Sequence, residues 1–286
     1  MKRALPGTRT ITLRRPPKRR PLVLVAICLA ILAVAAIFAV IGPLVAPNAT
    51  EQDILVGSLP PGFPGHPLGT DELGRDILQL TIAGTTSALV GPVLVALGSM
   101  VLGIVLGSLA GYERGWVDLL VARWTDLLFA LPVLLMAVVV AGILGAGYWT
   151  TVLLLIVLFS PSDIRVVRAG VLEQSTRPYI EAAQMLGLSR WRIMFRHLLP
   201  NVAPLIITNT MLNVAFALVA FSSLSFLGVG VPPNSADWGR QLADGRFLVF
   251  ENPAAAVVPA VLIIAVAFAA NVVGDWLGER LTRERT

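Results

Sequence analysis

Long apolar stretches alternate along the chain with short polar ones. Runs without a single charged residue cover 22–45, 85–112, 127–148, 149–162, 202–231 and 253–274. A helix needs about 20 residues, at about 1.5 Å each, to cross the hydrocarbon of a bilayer. All but 149–162 reach that length, and that run becomes a span only by continuing through Asp163 to Val171. Gly145-Ala146-Gly147-Tyr148 predicts a tight hairpin between the third and fourth runs. The pattern predicts an all-α, polytopic membrane protein with six transmembrane helices. A basic tail over 1–20 precedes a membrane domain over 21–286, with polar loops at 47–84, 172–200 and 232–252.

Composition agrees. Hydrophobic residues make up 56% of the chain and charged ones 14%, with a mean hydropathy of +0.80. Soluble domains carry about 45–50% and about 25%, so a water-soluble globule is excluded, as is a disordered chain. The single cysteine, Cys28, excludes a disulfide scaffold and reads as packing inside the first span.

Charge sets the orientation. With the N-terminus in the cytoplasm, all of the 22 Lys and Arg residues except Arg75, Arg240 and Arg246 fall on the inner side. That asymmetry predicts both termini inside. The first run is longer than the roughly 7–15 residues of a signal-peptide core, so it reads as a retained span. The Arg- and Pro-rich stretch before it (14–20) reads as disordered, attracted to anionic lipid headgroups. No nucleic-acid partner is expected.

The chemistry that the spans lack narrows the function. Asp126, Asp163, Arg165 and Arg168 read as lying at span ends, where long side chains reach the interface at little cost. Interiors without ionisable groups disfavour a proton-coupled carrier, though not sodium coupling through carbonyls and hydroxyls. The only lysines, Lys2 and Lys18, lie in the tail, so no phosphate-binding loop of the GxxxxGK[ST] type exists. His66 and His197 fall on opposite sides of the membrane. No catalytic and no metal-binding residue is expected, and the energy for any transport must come from a partner.

The most informative stretch runs from Thr176 to Asn201 and predicts a helix, a turn and a second helix. Tyr179, Ala182, Ala183 and Leu186 make one apolar stripe, and Trp191, Met194, Phe195 and Leu198 make another. Gly187 suits a left-handed helix end and Ser189 an N-cap. Pro200 is expected to break the second helix from the fifth span. One reading is a helix lying in the headgroups. The small-residue face beside Glu181 suits docking into protein better.

Glu181-Ala182-Ala183, Gly187, Ile193 and Leu199-Pro200 resemble the EAA loop of ABC importer permeases. The stretches His66–Asp76 and Leu224–Pro233, the latter followed by Asp237-Trp238-Gly239, resemble the dipeptide/oligopeptide/nickel permease group, and within it the shorter, C-type subunit of peptide importers. The related permeases commonly carry a glutamate three residues before the Leu-Ser-Phe-Leu-Gly run, where this chain has Phe221 near the outer mouth. The resemblance implies the type I ABC importer permease fold. It also implies a heterodimer with a second permease, two ATPase subunits that hold ATP and Mg, and an extracytoplasmic substrate-binding protein. This chain itself would bind no cofactor. Glu181, Ala182, Ala183 and Gly187 would couple to the ATPase.

The residues themselves offer candidates for a translocation path for peptide: Asn209 and Asn213, with Thr208 and Thr210 beside them and Ser222 and Ser223 above. Amides and hydroxyls suit a peptide backbone, and they equally suit bonds between helices. Nickel or another small solute remains an alternative cargo. In the outer loops Glu51, Asp53, Asp71, Glu72, Asp76, Asp237, Asp244 and Glu251 read either as a docking surface for a binding protein with basic patches or as the ordinary solvation of polar loops. Gly69, Gly74 and Gly239 are expected to set turns there.

Overall fold

The computed structural model describes residues 22–283 and contains no sheet among them; the basic tail lies outside the described residues. Helices α1 (Leu22–Val45), α2 (Ile77–Glu113), α5 (Tyr148–Ser175), α8 (Leu199–Phe226) and α10 (Ala254–Arg283) form the bundle. With α8 counted from Arg190, these are, among the described residues, the five helices long and apolar enough to cross a membrane.

The sixth span differs from expectation. The run at 127–148 is not one helix: it holds the end of α3 (Gly115–Phe129) and all of α4 (Val133–Leu144), which meet at 87°, and it ends on the first residue of α5. Pro132 is the cause: its ring disfavours helical backbone in the preceding residue, so the helix ends before Leu131. At 12 residues α4 is too short to cross alone.

Pro200 has the opposite outcome. The short α7 (Arg190–Ile193) passes through a π-helical turn, Met194–Leu198, straight into α8. The Leu199 N–H reaches back to the Met194 carbonyl. The wider turn absorbs a proline whose ring would clash in a regular helix, so the chain continues rather than breaks.

Close packing of α2 on α5 organises the centre. Gly103, Gly107 and Gly111 recur every fourth residue along α2 and face α5. A Cβ at Gly107 would stand 2.7 Å from the Ile164 carbonyl oxygen, and one at Gly111 3.0 Å from that of Arg168. Small residues at this spacing let two backbones approach, and the van der Waals packing this allows drives helix association in lipid together with interhelical hydrogen bonds. Val152, Leu155 and Leu158 of α5 pack with Ala217, Phe221 and Leu224 of α8 in the main apolar cluster. Phe221 is therefore an interior residue, its ring edge-on to Tyr148 at 5.2 Å, and not a lining of the outer mouth.

Helix α9 (Trp238–Gly245) packs across one end of the bundle. Trp238 Nε1 donates to the Thr81 carbonyl at 3.0 Å, and Gln241 Nε2 to the Ile77 carbonyl at 3.1 Å. The buried Asn252 amide gathers the carbonyls of Leu59, Leu68 and Thr70, holding the long α1–α2 loop against the start of α10.

Candidate functional site

At the opposite end the bundle carries a two-helix loop. Pro178 opens α6 (Pro178–Met185), Gly187 turns the chain at φ +71°, and the Ser189 hydroxyl accepts the Arg192 N–H at the start of α7. The helix–turn–helix matches expectation, but its buried face is rotated. Ile180 and Ala183 go inward with Ile193 and Leu198, against Val167 and Val171 of α5 and Val202 of α8. Tyr179, Ala182 and Leu186 point outward. A stripe read by spacing shows which residues share a face; the bundle decided which face it would bury.

The outer surface of the loop is unusually apolar. Met185 is 87% exposed, Leu186 80%, Trp191 60% and Phe195 55%, and the last two rings stack at 5.8 Å. Glu181 lies beside this patch on the wall of a polar cavity of about 460 Å³, with Tyr112, Glu113, Arg114 and Arg190. Arg190 bridges to Glu113 at 2.6 Å, fixing α7 to the end of α2. Thus Glu181, Ala182 and Gly187 lie on the outward surface, with Ala183 buried beneath them. A larger cavity of about 670 Å³, between α1, α2 and α10, is almost wholly apolar and lies away from this loop.

The candidate path residues do not form one lining. Asn209 and Asn213 both donate to Oδ1 of Asp163, each at 2.6 Å. Thr208 and Thr210 turn back to the carbonyls of Pro204 and Ile206, and Ser223 to that of Val219. Ser222 is buried where α9 crosses α8: a Cβ on Gly239 would collide with its carbonyl. Gly239 therefore permits a close crossing rather than a turn, whereas Gly69 and Gly74 do adopt left-handed turns at φ +76° and +72°.

Asp163 overturns its expected place at a span end. It sits in mid-α5 with 0% exposure; the nearby Ser99 hydroxyl of α2 turns back to the Ala96 carbonyl at 3.2 Å, and Oδ2 is left without a hydrogen-bond partner. Leaving such a buried acceptor unpaired costs about 1–3 kcal/mol. Two sequence signals pointed there: the fourth run is too short to span without it, and Asn209 and Asn213 share one helix face. The neighbouring arginines are paired elsewhere, Arg168 with Asp118 and Arg165 with Asp126 of α3.

The outer acidic residues also divide. Asp71 holds the buried Arg75 through Nε at 2.7 Å, Asp76 caps α2 and pairs with His66 at 2.7 Å, and Asp237 caps α9. These three are internal supports. Glu51, Asp53, Glu72 and Glu251 remain exposed.

The bundle of apolar spans, with one helical loop presented at its end, defines a polytopic helical membrane protein. Residues 103–283 match the family described as binding-protein-dependent transport system inner membrane component, and the chain belongs to it. It is a multi-pass inner-membrane permease of the ABC importers, in the group that includes the peptide systems. Membership implies ATPase and substrate-binding partners.

Among its relatives, the glutathione transport system permease protein GsiD of Pectobacterium atrosepticum is 36% identical over 216 residues, 76% of this chain and 72% of that one. The dipeptide transport system permease protein DppC of Haemophilus influenzae is 32% identical over 255 residues, covering 87% of this chain and 86% of the relative. The inward-facing methionine transporter MetNI has a chain of the same type I importer permease fold, with a TM-score of 0.58 and 18% identity. The match covers 71% of this chain and 97% of that one.

Proposed function

We propose that this chain forms half of the translocation path of an ATP-driven importer of peptides, paired with a second permease, and takes its power stroke through the α6–α7 loop. The carrying observation is the exposed apolar patch of Met185, Leu186, Trp191 and Phe195 beside Glu181 and the Gly187 turn. Such a patch at the end of a membrane bundle suits a protein cleft. Relatives named for dipeptide and glutathione transport support a peptide-class cargo. The confinement of lysine to Lys2 and Lys18 of the tail supports the assignment of ATP and Mg to the ATPase partners, with this chain itself carrying no catalytic site.

In this mechanism the ATPase subunits close on ATP and draw the two permease loops together. The spans above convert that movement into opening on the far side, where a binding protein delivers cargo. Charge reversal at Glu181 tests the reading. With the complex reconstituted in vesicles, Glu181→Arg should leave the ATPase subunits able to hydrolyse ATP while uptake of a labelled dipeptide per ATP falls by about tenfold. An unchanged ratio would remove the loop from the coupling path.

A further inference from the structure

Helices α5 and α8 enter and leave the two-helix loop, and three contacts tie them together along the half of the bundle nearest it. Closest to the loop, the Tyr179 hydroxyl of α6 hydrogen-bonds to Gln174 of α5 at 3.1 Å and accepts from Asn201 of α8 at 3.2 Å. Next, Gly170 lets α8 approach so closely that a Cβ there would stand 2.7 Å from Val202 Cγ1. Roughly three helical turns from the loop, Asp163 receives both Asn209 and Asn213. Above Asp163 the two helices share the apolar cluster of Val152, Leu155 and Leu158 with Ala217, Phe221 and Leu224.

We propose that Asp163, held by the Asn209 and Asn213 amides, is a positioning residue that clamps α5 to α8, so that loop movement reaches the membrane interior as rotation of one rigid pair. The inference rests on the loop being the ATPase contact. The clamp is poorly explained by stability alone. One carboxylate oxygen accepts two short bonds while the other has none, and carboxyl groups within spans are costly and commonly functional. Its geometry is also directional. Two donors spaced by one turn of α8 converge on a single oxygen of α5, which opposes sliding and twisting of the pair. Gly103 of α2 closes against Asp163 from the other side, a Cβ there falling 2.5 Å from that of Asp163, so the clamp sits on the rigid α2–α5 seam.

The test uses the full complex in vesicles and a labelled dipeptide that the wild-type complex accumulates. Asp163→Leu should assemble with ATPase activity within about twofold of wild type, while uptake per ATP falls by about tenfold. Asp163→Asn should restore the ratio, because the amide oxygen still accepts both asparagines. Combined Asn209→Ala and Asn213→Ala should reproduce the Leu phenotype, and this double variant decides the question if Asp163→Leu does not assemble. A wild-type ratio in the double variant, or an equal loss of hydrolysis and uptake, overturns the clamp. Glu181→Arg separates the two readings. If it uncouples and the double variant does not, only the clamp fails; if Glu181→Arg stays coupled, the loop assignment itself fails.

Discussion

Single side chains in this protein work mainly by satisfying backbone and by pinning helices, as Asp237 illustrates. It caps α9, accepts from Ser87 Oγ at 2.8 Å, and lies outside the spans. Burial pushes its carboxyl above the ordinary range, against the opposing hydrogen bonds from Ser87 and the Arg240 N–H. The folded state therefore holds this proton more tightly than the unfolded chain, where a carboxyl titrates near about 3.9. Its stabilising contribution is complete below that pH and is lost as pH rises through the folded-state value. Asp237→Asn keeps a good N-cap and cannot ionise. The variant should therefore show a flatter decline of melting temperature with pH above about 4. Equal slopes in variant and wild type would assign the decline to another group. Asp237 was legible as an acidic loop residue, but not as a buried cap, because burial depends on where α9 lands.

At the scale of elements, the α2 glycines hold the seam that supports everything else. Their spacing is readable in the sequence, yet span-finding by hydropathy passes over it, since glycine and leucine both count as uncharged. Gly107→Val places new atoms against the Ile164 carbonyl and the Val167 side chain. The expected cost is about 1–3 kcal/mol, read as a lower melting temperature in detergent. Gly142→Ala, where nothing lies within 4 Å, is the control and should not lower it. The two prolines teach the same lesson from opposite sides. Pro132 splits a run that hydropathy reads as continuous, and Pro200 fails to split one because a π-turn accommodates it. Local preference states the strain at each proline; neighbouring helices decide how it is relieved.

For the whole molecule, the loop with α6 and α7 and the loop carrying Glu72 lie at opposite ends of the bundle. The asymmetry of Lys and Arg predicts the α6–α7 end to be cytoplasmic. Cys28 is buried, so single-cysteine variants report cleanly on sidedness. A cysteine at Glu72 should react with a membrane-impermeant maleimide in intact cells, and one at Gln184 only after permeabilisation. The reverse pattern would invert the topology. Together with the exposed loop patch, this orientation would set the permease facing its ATPase partners inside and its binding protein outside.

What the sequence by itself determined is the membrane setting, the approximate spans and the helix–turn–helix loop with its Gly187 turn. These follow from composition and from periodicities a few residues long, which do not depend on distant parts of the chain. The tertiary structure alone decided which face of α6 is buried, that Asp71, Asp76 and Asp237 are supports rather than surface, and that Asp163 lies in the interior between Asn209 and Asn213. Asp71 and Asp76 find their partners within about ten positions, in a loop whose irregular path no periodicity records, whereas the places of Asp163 and Asp237 depend on residues 46 to 150 positions apart meeting when α2, α5, α8 and α9 pack. Only packing fixes which side of a helix meets protein, which meets lipid, and where a lone carboxyl finds its partners.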